Sequence, residues 1–324
     1  MGQRANLLVG RHGSWTLYYD HRCANCLDVE LFWGPQLAVA FIEQREARDG
    51  SWWLDEVWGE GAAAVDLDRR VLLFFGGEDF LWNIPLRRAH LALMKEAWPG
   101  WEIRWADEGM VTVGAYAGEP ASRFLTHDQP GPEARFSVVT DYPEDNGTLL
   151  TCTMATATTA RRVYGEQEAL LLGPEQLGVL NEVEGVTSLD WGNEMPTGGC
   201  HIDFDRRSIA FWWAKTTPAI EERVRAAWPG WQVTWLRDRY EDHVELSGLD
   251  IRLPEKPPAA LQAAQVRRLR QLCHQEARNS ARELAARVGA SEINPATDEA
   301  RGSVGWEAEK LAHLERLASR IPLR

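Results

Sequence analysis

No apolar run in this sequence approaches the roughly 20 residues that a membrane-spanning helix needs. Nothing long and apolar follows the opening Met1-Gly2-Gln3-Arg4 either, so no signal peptide is expected. The Met-Gly start lacks the Ser or Thr that myristoylation requires, because Asn6 occupies that place. Cysteine is sparse: Cys23, Cys26, Cys152, Cys200 and Cys273 form an odd, scattered set that does not suit a disulfide scaffold. Positive charge is short as well, with 35 Lys and Arg against 48 Asp and Glu, a net −13. The deficit is uneven. Residues 257–324 hold 11 Lys and Arg against 8 Asp and Glu, which leaves 24 against 40, a balance of −16, for the rest. An acidic body disfavours general binding to a phosphate backbone and suits a basic protein partner. With 44% apolar and 26% charged residues the chain reads as an ordinary globular, cytoplasmic protein.

Tryptophan is plentiful, with 16 residues, and suggests large aromatic cores or interfaces. Two of these residues anchor a repeat. Ala97-Trp98-Pro99-Gly100-Trp101 returns letter for letter as Ala227-Trp228-Pro229-Gly230-Trp231. Each copy closes a helical pattern and opens an alternating one, and the Pro-Gly pair stops the helix and turns the chain. Further matches extend the repeat. Asp66-Leu67-Asp68-Arg69-Arg70 corresponds to Asp203-Phe204-Asp205-Arg206-Arg207, and Gly34-Pro35-Gln36 to Gly173-Pro174-Glu175. The interval from Asp68 to Trp98 is longer than that from Asp205 to Trp228 by seven residues, which fits an insertion around residues 80–86.

Each copy starts with a hairpin, 5–9 with 14–19 in the first and 135–140 with 148–153 around Asp145-Asn146-Gly147 in the second. A helix entered through Gly-Pro follows, at 36–48 and 174–184. A second hairpin turns at Asp68-Arg69 or Asp205-Arg206, and a second helix and a last strand end the copy. The expected fold is α+β: a tandem duplication of a β-βαββαβ unit of ferredoxin-like order, with helices on one face of a mostly antiparallel sheet. The expected domains are residues 1–118 and 135–252, with a linker at 119–134. Residues 253–324 form a linker and helical tail, a long helix over 259–288 and another near 307–320. This helical hairpin packs on the repeats or makes a homodimer.

Several motifs invite chemistry. Arg11-His12-Gly13 resembles the start of histidine phosphatases, but Ser14-Trp15-Thr16-Leu17 is not that family's continuation, and a hairpin turn is the plainer reading. Gly76-Gly77-Glu78-Asp79-Phe80 resembles the diguanylate cyclase motif with its two acids exchanged, and reads as a strand exit. His21, Cys23 and Cys26 form half of a zinc set that Cys200 and His201 would have to complete. Asp66, Asp68, Asp203 and Asp205 are the strongest candidates for a metal. Alternate strand residues share a face, so each pair presents two carboxylates to Mg²⁺ or Mn²⁺, with Arg69, Arg70, Arg206 and Arg207 beside a phosphate. The competing reading is that Asp68 and Asp205 cap the turns they start. Trp101, Trp105, Trp231 and Trp235 alternate on strands and read as core rather than as stacking platforms. Trp52, Trp53 and Trp58, among Asp55, Glu56 and Glu60, lie off the regular elements and suit a partner surface. Asp190, Trp191 and Glu194 form the matching stretch.

The opening Met1-Gly2-Gln3-Arg4-Ala5-Asn6, with Tyr18-Tyr19-Asp20-His21 and Cys23-Ala24-Asn25 behind it, resembles a set of uncharacterised proteins of high-GC bacteria. The resemblance implies a bacterial cytosolic origin and no activity. The expected function is a non-enzymatic interaction module that needs no cofactor. It would bind a basic protein through the acidic Trp-rich loops, as an immunity protein or antitoxin does. The alternatives are a metal-dependent enzyme acting on a phosphorylated or nucleotide substrate through the Asp pairs, and a small-molecule binder at the repeat interface.

Overall fold

In the computed structural model, which describes residues 3–126, 134–138, 147–165, 168–254, 256–274 and 307–319, the chain builds two six-stranded sheets of α+β type. The first half runs β1 (Ala5–Arg11), β2 (Ser14–Asp20), α1 (Leu27–Glu30), α2 (Pro35–Glu43), β3 (Ala47–Arg48), β4 (Gly61–Asp66), β5 (Val71–Phe75), α3 (Ile84–Ala97), β6 (Glu102–Trp105) and α4 (Met110–Tyr116). The second runs β7 (Ser137–Val138), β8 (Gly147–Met154), β9 (Ala157–Tyr164), α5 (Glu168–Leu171), β10 (Ser188–Asp190), β11 (Gly198–Asp203), β12 (Ser208–Trp213), α6 (Ile220–Ala227), β13 (Gln232–Arg237), α7 (Tyr240–Ser247) and β14 (Asp250–Arg252). Two tail helices follow, α8 (Pro258–His274) and α9 (Glu307–Ala318). No helix among the described residues is long and apolar enough to cross a membrane.

The first sheet has the order β3-β2-β1-β4-β5-β6 and the second β7-β9-β8-β11-β12-β13. In each, three of the five neighbouring pairs are antiparallel and two are parallel. The ferredoxin-like order expected from the element sequence is not the order found. That order splits a parallel βαβ crossover. Here β1 pairs with both β2 and β4, so the strands on either side of the first helix run antiparallel with β1 between them. Helices also cover both faces rather than one. In the first half α1, α2 and α3 bury one apolar set, centred on Leu7, Phe41, Phe74 and Met94. The unforeseen α4 covers the other, with Leu8, Ala64, Phe75 and Val113.

The Trp-Pro-Gly motif explains the packing on the helical face. Trp98 and Trp228 are fully buried. Each donates its indole N–H to a carbonyl of the preceding helical layer, Leu31 at 2.9 Å and Leu170 at 2.8 Å. The helix ends sit so close that a Cβ on Gly34 would stand 2.8 Å from the Ala97 carbonyl oxygen, and one on Gly173 would stand 2.6 Å from that of Ala227. Glycine is needed at both places for this approach as well as for the positive φ.

Other boundaries differ from the sequence reading. The second half's hairpin is β8–β9, turning at Ala155-Thr156, while β7 pairs with β9 at the sheet edge. Residues 141–146, where the turn was expected, lie outside the described residues. Helix α2 stops at Glu43, and its expected last residues form the edge strand β3. Its counterpart in the second half is a 3-10 segment, Gly173–Asn181. The tail packs on the first half: Val266 and Leu269 of α8 and Leu314 and Leu317 of α9 join the core around α3. Arg268 pairs with the buried Asp28 at 2.6 Å. Residues 275–306, which hold the latter part of the expected 259–288 helix and the whole of the expected break after it, are outside the described set.

The inserted segment joins the halves. Asn83 caps α3 by accepting the Leu86 amide, which places Ile84 and Arg87 on its first turns. Ile84 is buried among Met195, Trp212, Ala214, Leu236 and Tyr240 of the second half. Arg87 donates to the carbonyls of Phe80 (3.0 Å) and Ala214 (2.8 Å), and burial pulls it down to about 10. Arg88 with Asp238, and Arg237 with Asp107, complete the joint at 3.0 and 2.7 Å.

Candidate functional site

The stretch 49–60 is a loop held by side chains that reach it from three directions. Asn6, buried on β1, donates to the Trp52 carbonyl and accepts the Leu54 amide, at 3.1 and 2.7 Å. Asp49 accepts the Ser51 amide, and Asp55 accepts those of Val57 and Trp58. Glu56 turns inward, accepting the Thr126 amide and hydroxyl at 2.6 and 2.7 Å and lying 3.6 Å from Arg223 of α6. Glu60 accepts the Arg4 amide at 2.7 Å, and Arg123 donates to the Gly50 carbonyl at 2.6 Å.

The polar side chains of this loop are thus engaged in holding it in place, while Trp52, Val57 and Trp58 stay exposed to water. Trp52 is 41% exposed, Val57 54% and Trp58 52%. Trp52, Trp53, Trp58, Tyr19 and Arg4 line an open groove of about 290 Å³. Tyr19 and Trp52 lie 5.3 Å apart, ring centre to ring centre. The guanidinium of Arg48 covers Trp52 at 4.2 Å and that of Arg4 covers Trp58 at 4.5 Å, which holds both indoles in place. Of the first-loop residues chosen from sequence, Trp52 and Trp58 present surface and Trp53 is half-buried against Phe124. Asp55, Glu56 and Glu60 act on the loop itself.

The matching stretch of the second half differs. Asp190 and Glu194 are exposed, but Trp191 is fully buried and offers no surface. Its amide donates to Arg252 of β14, and its ring packs with Leu149, Ala160 and Ile251 under the Arg162 guanidinium, 4.5 Å away.

The Asp-x-Asp pairs form a two-turn device. Asp66 accepts the amides of Asp68 and Arg69 at 3.1 and 2.9 Å on one oxygen, and the Tyr116 hydroxyl at 2.9 Å on the other. Asp203 likewise takes the Arg206 amide and guanidinium. Burial pushes Asp203 up, but these donors outweigh it and hold the carboxyl below its ordinary range. The second Asp of each pair reaches across to the neighbouring hairpin. Asp68 accepts the Gly13 amide at 2.8 Å, and Asp205 accepts those of Ala155 and Thr156 at 3.0 and 2.8 Å. The amides of Gly13 and His12 hold Asp68 below the usual carboxylate range. The turn residues take left-handed φ: His12 54°, Gly13 73°, Ala155 48° and Thr156 67°.

Among the described residues, no group of three or more His, Cys, Asp and Glu is placed to share one ion. Cys23, Cys152 and Cys200 are buried in the two cores. Burial raises all of their thiols, that of Cys152 to about 12. His201 belongs to a polar network that the sequence reading did not find. Thr151 Oγ1 lies 2.9 Å from His201 Nδ1 and 2.7 Å from His243 Nε2, and Trp212 Nε1 donates to His243 Nδ1 at 3.1 Å. The period-two placement of Thr151 and His201 on facing strands was a usable signal. The α7 histidine was not, because α7 itself was unforeseen.

The chain matches no family model, no curated protein and no solved structure.

Proposed function

We propose that the chain is a non-enzymatic protein-interaction module, built as two copies of one unit, that binds a basic segment of a partner protein through the loop 49–60. One observation carries this reading: Trp52 and Trp58 are exposed on a loop that four side chains bond along its backbone and two of its own glutamates tie to neighbouring segments. Rigid, exposed aromatics lose little conformational freedom on binding and make strong contact residues. The net charge of −13 supports a basic partner, as an immunity protein or antitoxin would have. The shared strand order β2-β1-β4-β5-β6 and β9-β8-β11-β12-β13, with Trp98 and Trp228 bonded alike, supports the duplication. A cytoplasmic location fits this reading.

The enzyme alternative gains no support from the Asp pairs, whose oxygens already accept turn amides. The test is affinity capture from the native cells with the wild-type chain, Trp52→Ala and Trp58→Ala, followed by identification and titration of the captured protein. A basic protein held by the wild type and lost roughly tenfold or more in affinity by either variant is expected. Equal capture by all three chains would refute the reading, as would a tight Mg²⁺ or Mn²⁺ site abolished in Asp68→Asn.

A further inference from the structure

The groove beside the loop 49–60 offers donors and few free acceptors. The Tyr19 hydroxyl is engaged with His21 Nδ1 at 2.9 Å, and the Ser51 hydroxyl donates to Asp49 at 2.5 Å. The Trp52 carbonyl already accepts from Asn6. The other polar atoms of the lining are N–H groups: no acceptor among the described residues takes the indole N–H of Trp52 or Trp58, or the guanidinium of Arg4. The groove is also guarded against positive charge. Arg4 lies 4.5 Å over Trp58 and Arg48 lies 4.2 Å over Trp52. An incoming Lys or Arg side chain would meet a cation already on each ring face it would use. Negative charge stands outside, on Asp49 and Glu60, which are exposed at the two ends of the loop. At about 290 Å³ and open to solvent, the ring-walled space suits flat, compact, uncharged groups rather than long side chains.

We propose, on the reading of this loop as a partner surface, that the groove takes a proline-rich segment of the partner in the polyproline-II conformation, with Lys or Arg residues flanking it and meeting Asp49 and Glu60. Proline has no backbone N–H, so a proline-rich strand carries carbonyl acceptors and no backbone donors, which complements a groove of indole and guanidinium donors. The polyproline-II helix makes no internal hydrogen bonds, so those carbonyls are free to accept. The prolyl rings are uncharged and lie flat against Tyr19, Trp52 and Trp58. Such a segment is extended before it binds and loses little freedom on docking. The division of charge follows: the partner's cations lie on the flanks, and its apolar rings lie between them. The second half offers no such surface at its matching tryptophan, because Trp191 is fully buried.

The test is fluorescence anisotropy of the full chain with three labelled peptides. One is a decaproline flanked at each end by arginines, one has the same flanks on an alanine–serine core, and one is decaproline without flanks. The first is expected to bind saturably, with a Kd of about 100 μM or tighter, roughly tenfold tighter than either of the others. Trp52→Ala and Trp58→Ala are each expected to weaken it roughly tenfold. Both side chains are exposed, and circular dichroism checks that the variants are folded. An alanine–serine core that binds as tightly as the proline core would overturn the proline assignment and leave a basic partner standing. Decaproline that binds equally with and without its flanks would overturn the placement of the cations, and with it the basic-partner reading. No saturable binding of either proline peptide, or an affinity unchanged in both folded variants, would overturn the proposal whatever affinity capture returns.

Discussion

The Thr151 hydroxyl lies 2.7 Å from Nε2 of His243, and this contact gives the buried network a direction. Trp212 can only donate, so His243 Nδ1 accepts and its Nε2–H donates to Thr151. The hydroxyl hydrogen is then free to donate to His201 Nδ1, so Thr151 both accepts and donates. The first half solves the same position without polarity. Leu8 and Ala64 face each other there as Thr151 and His201 do here, Phe75 stands where Trp212 does, and Val113 follows Trp98 as His243 follows Trp228.

Thr151→Val should cost about 1–3 kcal/mol, because it leaves His243 and His201 facing a methyl group. Replacing the whole network by the first half's residues, with Thr151→Leu, His201→Ala, Trp212→Phe and His243→Val together, should recover most of that loss. Urea midpoints of the single and fourfold variants check this. A fourfold variant less stable than the single one contradicts it.

Acid should weaken the fold well above the range where carboxylates titrate. Burial lowers His90 to about 3, and burial with the nearby His201 does the same for His243, from an ordinary 6.5. A depressed folded value means stability is complete above the unfolded value and is lost as pH falls toward the folded one. Each histidine should cost up to roughly 5 kcal/mol over that whole window. Denaturant midpoints should be flat above about pH 7 and fall steadily below about pH 6. A flat profile down to about pH 4.5 would contradict the burial of both neutral imidazoles.

The β8–β9 turn should respond to glycine. Thr156 holds a left-handed conformation that Gly13 holds in the first half. Thr156→Gly should therefore stabilise the protein by about 1 kcal/mol, and Asp205→Ala should destabilise it by a similar amount through loss of the two amide contacts. Thermal melts of the two variants should shift in opposite directions.

The tail should be integral to the first half. Burial raises the Asp28 carboxyl and Arg268 opposes that rise. Arg268→Ala leaves a buried charge alone and should cost about 3 kcal/mol, with part regained in the double variant Arg268→Ala/Asp28→Asn. Truncation after Leu253 should lower the melting midpoint further, because it also uncovers the apolar positions that Leu269 and Leu314 fill.

The features legible in the sequence were those whose causes are local. Pro-Gly stops after Trp98 and Trp228, the turns closed by Asp66 and Asp203, and the apolar spacing of α3 each act within a few residues, whereas Asp68 and Asp205, read as caps of their own turns, instead bind the neighbouring hairpin. The β8–β9 hairpin was not legible, because Ala155-Thr156 carries no turn signal of its own. The signal is Asp205, on a different hairpin. Trp191 misled for a related reason: its neighbours Asp190 and Glu194 are exposed, and only the distant β14 and Arg162 bury the ring between them. The ferredoxin-like reading failed because the order of elements along the chain does not reveal that β1 takes both central partners.

The joint made by Ile84 and Arg87 is head-to-tail: a projection from one half enters a socket on the other. A heterologous contact of that kind, repeated, grows into a ring or an open filament. The second half lacks the projection, since Lys215-Thr216-Thr217-Pro218 leads almost directly into α6. The shorter entry to α6 leaves the joint one-way, carried by Ile84 and Arg87 of the first half.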